Sequence, residues 1–353
     1  MTTVFDRDEL WTTPLHDRHS ALGLSGEDVV EIYRVMVLTR TVDQKVWNLQ
    51  RIGKIPFIIP GQGQEAAQVG SAWALRAGYD VALPYYRDIG VVLTLGMTAE
   101  EVVLNAFARP ADPNSGGRQM PAHWGCRRLN IITGSSPIGT QLPHAAGLAN
   151  AAKIRGEDRV TVCWFGEATA SKGDYHEALN YAGIHDLPLV LVCENNGYAI
   201  SVPHELQASV PNVADQVAAY GFEGVMVDGN DPLDVYGAAS AAVAKARAGG
   251  GPTLVECKTY RLLPHTSDDD DRRYRTADEV ETWRRRDPIV MFREQLERAG
   301  FLDHEDVARI DATAEQVVAE SVQFAEESPH PAASTLFDDV YCASDGMLEG
   351  GRG

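Results

Sequence analysis

Residues 160 to 201 read VTVCWFGEATASKGDYHEALNYAGIHDLPLVLVCENNGYAIS, and this stretch decides the fold. It holds two short apolar runs, Val160 to Phe165 and Leu189 to Cys193, with the length and β-branched content of buried strands. A segment of helical length lies between them, and a third apolar run follows at Thr253 to Cys257. Strands that alternate with helices predict an α/β fold in which helices cover both faces of a parallel sheet.

Helix boundaries can be read on both sides of this stretch. Ser25 and Asp28 open a helix whose apolar positions recur until Gly53 ends it. Thr98 with Glu101 is a capping-box pattern for another helix. Near the other end of the chain, two or three amphipathic helices are predicted, the last of them ending near Glu327.

Composition predicts the parts without regular structure. Residues 108 to 130 read as a long loop, and residues 264 to 275, PHTSDDDDRRYR, as an exposed and mobile loop because they are dense in charge. Residues 1 to 24 are predicted to form an N-terminal arm and residues 25 to 342 a single α/β domain. The glycine-rich residues 343 to 353 are predicted to be a disordered tail.

Net charge and cysteine usage narrow the class of protein. The formal charge of −19 disfavours nucleic acid and membrane surfaces as partners, so an anionic cofactor would need a local cationic or metal-filled pocket. No apolar run approaches the roughly 20 residues that a spanning helix needs, and the acidic start MTTVFDRDEL lacks the plan of a signal peptide. Five cysteines without a CxxC pair fit a reducing compartment and packing as small apolar groups. These features predict a cytoplasmic protein.

Two short clusters of polar residues stand immediately after the first two predicted strands. Gly166, Glu167 and Ala168 come after the first, and Asn195-Asn196-Gly197-Tyr198 after the second. In parallel sheets of this kind, ligands bind outside the carboxyl ends of the strands. Carboxylate, amide and carbonyl oxygens are ligands for Mg²⁺, which often bridges phosphates. On these residues alone, helix caps or turn formers are the commoner explanation.

The spacing of the two clusters adds a family resemblance. Residues 169 to 194 separate them, and this is similar to the thiamine diphosphate motif, GDG followed after about that interval by NN. The whole stretch resembles the alpha subunits of pyruvate, acetoin and branched-chain 2-oxo acid dehydrogenases, and the resemblance runs from Ser25 to Tyr341. The segments that favour the branched-chain type are GQGQEAAQVG (61–70), YYRDIGVVLTLG (85–96), SSPIGTQLPHAAG (135–147) and TYRLLPHTSDDDDRRYR (259–275). The resemblance implies a thiamine diphosphate-binding fold.

The resemblance assigns roles to individual positions. It implies Mg²⁺ ligands at Glu167, Asn196 and the backbone carbonyl of Tyr198, and a bulky Ile138 under the thiazolium ring of the cofactor. It implies that His265 is catalytic, beside the diphosphate and the incoming lipoyl group. The full set implied to bind thiamine diphosphate is Tyr86, Arg87, Ser136, Ile138, Gly166, Glu167, Ala168, Thr169, Asn196, Tyr198 and His265.

Two of these segments have a simpler alternative. Arg87 suits bidentate phosphate contact, but without the family match it would be read as a surface arginine paired with Asp88 at a helix start. The resemblance also implies a K⁺ site at Ser135, Pro137, Thr140 and Gln141. A turn with satisfied hydroxyl groups is the alternative there.

The implied function is that of the alpha subunit of a branched-chain-type 2-oxo acid dehydrogenase. With thiamine diphosphate and Mg²⁺, it would decarboxylate a 2-oxo acid and reductively acylate a lipoyl group on a partner acyltransferase. The glutamate that activates the aminopyrimidine belongs to a separate beta subunit in the family, so the resemblance implies activity only in an alpha2-beta2 heterotetramer. A pyruvate or acetoin dehydrogenase is the alternative of the same chemistry, and a nucleotide-binding oxidoreductase is disfavoured because no GxGxxG follows a strand.

Departures from the family pattern keep a degenerate, non-catalytic subunit open. Ala168 replaces a glycine, which would matter if that backbone needs positive φ. Glu194 lies where relatives carry a basic diphosphate contact, and a carboxylate there would weaken binding unless it pairs or turns away. Thr266 falls at the position that mitochondrial kinases phosphorylate as serine, and no regulation is predicted there.

Overall fold

The computed structural model describes residues 14 to 338. The helices are α1 (Leu15–Ala21), α2 (Gly26–Arg51), α3 (Glu65–Ala72), α4 (Ile89–Thr94), α5 (Ala99–Ala106), α6 (Gln141–Arg155), α7 (Gly173–Ile184), α8 (Pro232–Arg247), α9 (Ala277–Arg284), α10 (Pro288–Arg298) and α11 (His304–Glu327). The strands are β1 (Val81–Leu83), β2 (Thr161–Gly166), β3 (Leu189–Asn195), β4 (Tyr198–Ala199), β5 (Val202–Pro203), β6 (Glu223–Asp228) and β7 (Thr253–Lys258). Short 3₁₀ turns connect several of them.

The centre of the molecule is a five-stranded parallel sheet in the order β1-β2-β3-β7-β6, with β4 and β5 forming a small separate hairpin. The three predicted strands are its middle strands β2, β3 and β7, which confirms the predicted α/β fold. Two edge strands were not predicted. β1 has only three residues, and β6 begins with the exposed pair Glu223 and Gly224, so neither shows an apolar run long enough to predict a strand.

Alternate side chains of the middle strands enter two separate cores, as the pleat of a strand requires. On one face, Val162, Trp164 and Val192 pack with α8 and the α2–α5 region. On the other face, Cys163 and Phe165 pack with α6 and α7. A strand buried on both faces has no polar positions to alternate, which is why these runs are continuously apolar.

The predicted helix boundaries agree with the capping contacts. Ser25 accepts a hydrogen bond from the Asp28 N–H at the start of α2, and Thr98 from the Glu101 N–H at the start of α5. The last predicted helix, α11, ends at Glu327. Helix α1 was not predicted within the proposed arm. Salt bridges from Arg18 to Asp231 at 2.8 Å and to Asp234 at 2.8 Å hold this helix in place.

The acidic loop is more buried than its composition predicts. Residues 264 to 275 form an irregular segment with one 3₁₀ turn, but the prediction that it is exposed is wrong for most of it. Arg275 is buried, and Tyr274 donates a hydrogen bond to Asp269 inside the segment. Because Asp269, Asp270 and Asp271 each have a polar or oppositely charged partner, most of the segment packs against the domain instead of extending into solvent.

Three further predictions concern the cysteines, membrane-spanning helices and the two ends of the chain. Cys126, Cys163, Cys193 and Cys257 are buried and free, which confirms their predicted packing role. None of the helices between residues 14 and 338 is both long enough and apolar enough to cross a membrane. The predicted tail, residues 343 to 353, lies outside the described residues, as does most of the predicted arm.

Candidate active site

A cavity of about 570 Å³ opens beyond the carboxyl ends of β2 and β3. Every residue that the resemblance assigns to thiamine diphosphate lines it, although these residues come from segments far apart in the chain. Apolar side chains supply much of the wall, among them Phe57, Ile59, Met120, Ile138 and Ile200. A concave, mostly apolar space with a few convergent polar groups is the usual form of a cofactor site.

Glu167 is the carboxylate of this cavity. It follows β2 directly, and its side chain is almost fully buried, with 2% exposed. Its Oε2 accepts a hydrogen bond from the Asn196 N–H at 3.2 Å, whereas its Oε1 is buried without any partner. Burial raises the pKa of this carboxyl group. A buried oxygen with no donor is a site that a cation would satisfy.

Asn196 and Tyr198 stand beside it on the turn after β3. Asn196 Oδ1 accepts from the Tyr198 N–H at 3.2 Å, and Asn196 Nδ2 donates to Gln64 Oε1 at 3.2 Å. Gly197 between them has a φ of 84°, a conformation that favours glycine and lets the chain reverse here. The ligand set that the resemblance implies would be one carboxylate, one amide and the Tyr198 carbonyl, a set that would fit Mg²⁺ because that ion keeps several ligands from phosphates and water.

Arg87 is buried in the cavity wall, with 2% exposed, so its reading as a surface arginine is wrong. Its guanidinium donates to the Pro60 carbonyl and, through Nη2, to His265 Nδ1 at 2.8 Å and to the His265 carbonyl at 3.1 Å. The Tyr86 ring lies 5.3 Å from the guanidinium carbon. These contacts fix a planar cation at the cavity, the geometry that suits phosphate oxygens.

The tautomer of His265 follows from this contact. A guanidinium can only donate, so His265 Nδ1 must accept, and the proton of the neutral ring is on Nε2. Burial and the nearby charges of Arg87 and Arg261 lower the pKa of His265 to about 3. The ring therefore offers the cavity a neutral N–H donor, not a positive charge.

Ala168 and the remaining wall residues lie on two turns. Ser136 accepts from or donates to His123 Nε2 at 2.7 Å, and Thr169 is buried in the 3₁₀ turn that follows β2. Ala168, in the same turn, does not adopt positive φ. The alanine at this position therefore causes no backbone strain, and this departure from the family glycine is tolerated.

Ser135, Pro137 and Thr140 form a turn. Ser135 Oγ donates to the Pro137 carbonyl at 2.9 Å and lies in hydrogen-bond contact with the Thr140 hydroxyl, and Gln141 Nε2 donates to the Trp164 carbonyl at 3.2 Å. Ser135 and Gln141 also border a void of about 10 Å³. The turn alternative accounts for these hydrogen bonds, and the K⁺ site stays a prediction.

Comparison with known proteins places the chain in a family. The family model described as dehydrogenase E1 component matches residues 33–334. The chain belongs to this family.

Individual relatives of this E1 component chain share most of its length. It is 48% identical over 325 residues to "2-oxoisovalerate dehydrogenase subunit alpha" of Bacillus subtilis, covering 92% of this chain and 98% of the relative. It is 39% identical to "3-methyl-2-oxobutanoate dehydrogenase subunit alpha" of Mycobacterium tuberculosis over 329 residues, 93% of this chain and 87% of the relative. It is 38% identical to the mitochondrial "2-oxoisovalerate dehydrogenase subunit alpha" of Homo sapiens over 339 residues, 96% and 75%.

Glu194 of this E1 component chain turns away from the cavity. It is fully buried on β3, next to the equally buried carboxyl group of Asp88. Gln68 Nε2 also donates to Glu194 Oε2 at 3.3 Å. Burial and the neighbouring negative charge raise the pKa of Asp88 well above its ordinary range. The pair of carboxyl groups can therefore hold one proton. Because Glu194 does not line the cavity, its side chain does not repel a diphosphate bound there.

Several residues of the site were not predicted from the sequence. Lys172, Gln207 and Tyr85 line the cavity, and Gln64 lies behind its wall, where it contacts Asn196 and Tyr85. Gln64 lies in the GQGQ segment and Tyr85 in the YYRD segment, both of which carried the family resemblance. The sequence thus marked the segments, but it gave no sign of which side chains contact one another.

Proposed function

We propose that this chain is the alpha subunit of a branched-chain 2-oxo acid dehydrogenase that binds thiamine diphosphate and Mg²⁺. Membership in the E1 component family supports the enzyme class. The relatives with 48% and 39% identity carry names that specify 2-oxoisovalerate and 3-methyl-2-oxobutanoate as their substrates. These names favour a branched 2-oxo acid over pyruvate or acetoin.

One observation supports the cofactor more than any other. Glu167 Oε1 is buried without a donor in a cavity large enough for a cofactor, and Oε2 of the same carboxyl group accepts from the Asn196 N–H. An unpaired buried carboxylate oxygen is costly unless a cation or a proton neutralises it. A degenerate subunit that had lost the cofactor would have no reason to keep this unsatisfied oxygen.

The residues of this chain would hold and orient the cofactor. Glu167, Asn196 and the Tyr198 carbonyl would bind Mg²⁺, and Tyr86 with Arg87 would contact the diphosphate. Ile138, in the apolar part of the wall, would support the thiazolium ring. When bound, thiamine diphosphate supplies the electron sink for decarboxylation, while the protein supplies binding and orientation.

His265 would act on the acyl-transfer step. Its Nδ1 is occupied by Arg87, so its Nε2–H is the group left to donate a hydrogen bond to a reacting oxygen or sulfur. A neutral donor at a fixed position can stabilise developing charge without first losing a proton. His265 would therefore contact the lipoyl group that arrives from the partner acyltransferase.

A beta subunit would complete the site. Among the described residues that line the cavity, Glu167 is the one carboxylate, and its place is with the metal ligands. The acid that activates the aminopyrimidine would then come from another chain, in an alpha2-beta2 heterotetramer. A K⁺ ion at Ser135, Pro137, Thr140 and Gln141 and a cytoplasmic location belong to the same proposal.

Calorimetry on the purified alpha-beta pair tests the proposal. Titration of thiamine diphosphate in the presence of Mg²⁺ should give saturable heat that disappears when the metal is chelated. A flat titration would favour the degenerate subunit. The substrate is tested separately by decarboxylation rates across branched and linear 2-oxo acids, where faster turnover of pyruvate than of 2-oxoisovalerate would contradict the branched-chain assignment.

A further inference from the structure

A row of buried polar side chains connects Asn196 with the carboxyl pair behind the cavity wall. Asn196 Nδ2 donates to Gln64 Oε1 at 3.2 Å, and Gln64 Nε2 donates to the Tyr85 hydroxyl at 3.3 Å. The Tyr85 hydroxyl in turn donates to Glu194 Oε2 at 3.4 Å. All four residues are buried. We call these four residues the polar row.

The end of the polar row at Glu194 can only accept. Glu194 Oε2 accepts from Gln68 Nε2 at 3.3 Å and from the Tyr85 hydroxyl at 3.4 Å. The Gln68 amide is fixed in this orientation because its oxygen accepts from the Gly90 N–H at 3.0 Å. A carboxyl oxygen that faces two donors serves as an acceptor.

An acceptor at this end fixes the direction of every hydrogen bond in the row. The Tyr85 hydroxyl gives its single proton to Glu194, so it must accept from the Gln64 amide group. The Gln64 oxygen then faces Asn196 and requires the Asn196 amide group as its donor. The oxygen of Asn196 is thereby turned to the opposite side, towards the Tyr198 N–H and away from Gln64.

The reverse orientation of the Asn196 amide is disfavoured at both ends. Its amide group would face the Tyr198 N–H, which is also a donor. The Gln64 amide would have to turn as well, and the Tyr85 proton would leave Glu194 Oε2 for the Gln64 oxygen. An unsatisfied polar group in a buried site costs about 1–3 kcal/mol, so the orientation seen here is strongly preferred even though each hydrogen bond is long.

We propose that Gln64, Tyr85 and Glu194 are positioning residues that hold the Asn196 oxygen towards the metal ion. The inference rests on the proposed function, since the ion is the Mg²⁺ of the cofactor. It also gives a role to Glu194, the residue that departs from the basic side chain of the family pattern. The carboxylate no longer contacts the diphosphate, and it terminates the polar row instead.

Tyr85→Phe in the assembled alpha-beta enzyme removes the central hydroxyl and little else. Titration of Mg²⁺ at saturating thiamine diphosphate, followed by calorimetry, should show an affinity for Mg²⁺ about tenfold lower than wild type, the range known for outer partners of metal ligands. At saturating Mg²⁺ the decarboxylation rate should return to that of wild type. Tyr175→Phe is the matched control, because its buried hydroxyl has no partner and lies outside the row.

Gln64→Met provides a second break in the same row. It should lower Mg²⁺ affinity to a similar extent, and the double variant should lose no more than the worse single variant, because a row that is already interrupted cannot be interrupted again. Additive losses in the double variant, or a Tyr85→Phe affinity equal to that of Tyr175→Phe, would overturn the inference. If wild type itself binds no thiamine diphosphate with Mg²⁺, the proposed function fails and the inference fails with it.

Discussion

Two buried glutamates stand at the tips of neighbouring parallel strands, and they face different surroundings. Glu194 pairs in register with Gly166, the residue just before Glu167. Glu167 lines the cavity and keeps one oxygen without a donor, whereas Glu194 lies behind the wall and accepts hydrogen bonds from Gln68 and Tyr85. A position at a strand tip therefore does not by itself make a ligand. The side to which the chain turns at that tip decides it.

The two glutamates differ in how the cost of burying their carboxyl groups is offset. Burial and the neighbouring Glu194 raise the pKa of Asp88 well above its ordinary range, so the pair of carboxyl groups can hold a proton and does not need an ion. Glu167 has no comparable acid or cation in direct contact, and burial alone raises its pKa. A metal ion would reverse that direction, since a nearby positive charge favours the ionised carboxylate.

The same chemical change at both glutamates tests this contrast and has the largest expected effect. Glu167→Gln removes a buried charge from the ion, and removing one partner of a buried charge pair costs about 3–5 kcal/mol, or roughly 1,000-fold in affinity for thiamine diphosphate with Mg²⁺. Glu194→Gln keeps an accepting oxygen for Tyr85 and gains an amide donor for Asp88. Its cofactor affinity should stay within about threefold of wild type.

Calorimetric titration of both variants in the assembled enzyme gives the answer. Each substitution preserves the volume of the side chain, so each serves as the control for the other. Equal losses at the two positions would show that Glu167 has no special role, and full affinity in Glu167→Gln would contradict the metal site.

His265 tests a second difference within the cavity, between groups that would bind the cofactor and a group that would assist acyl transfer. His265→Ala should slow reductive acylation of a lipoyl domain by about 100-fold, the lower end of what a positioned proton donor contributes, with a much smaller change in cofactor affinity. His304→Ala, which changes an exposed histidine at the start of α11, is the control. Acylation rates measured with saturating cofactor would remove His265 from the site if they were unchanged.

The middle of the fold could be predicted from the sequence because its physical signals are local. Strands β2 and β3 contain apolar runs of four and five residues and β7 a shorter one before Glu256, and the starts of α2 and α5 carry capping residues within three positions of each other. Strand β6 could not be read this way. It is a partly exposed edge strand whose pairing with β7 depends on residues far away in the chain.

The site was predicted only in part. The contacts that were not predicted, like the pairing of β6, depend on residues that are far apart in the chain. Spacing and resemblance pointed to Glu167, Asn196 and Arg87, which the structure brings to one cavity. Whether Glu194 points into the cavity depends on Asp88, Gln68 and Tyr85, which are remote in sequence. The burial of Arg87 and of the acidic loop likewise depends on long-range partners such as His265, which no local pattern encodes.

The neutral state of His265 leads to a smaller, pH-dependent effect. The pKa of His265 is lowered from 6.5 to about 3, first by burial and then by Arg87 and Arg261. Between these two values the unfolded chain binds a proton that the folded chain does not, so stability falls as the pH falls. Without cofactor, wild type should lose roughly 2 °C more in melting temperature between about pH 7.5 and about pH 5.5 than His265→Gln does. Thermal unfolding of both proteins at the two pH values measures this, and parallel curves would contradict the depressed pKa.

The smallest effect is expected at Ala168, immediately after the glutamate that faces the cavity. If this position required positive φ or very close approach to phosphates, Ala168→Gly would relieve strain and improve cofactor affinity. The backbone here has no positive φ, so the substitution should leave the affinity for thiamine diphosphate within about twofold and lower the unfolding free energy by about 0.5–1 kcal/mol through added chain entropy. Calorimetry and denaturant unfolding of the same preparation separate the two quantities. A clear gain in affinity would show that the alanine obstructs the cofactor. That result would favour a degenerate subunit, the alternative that the unpaired Glu167 Oε1 argues against.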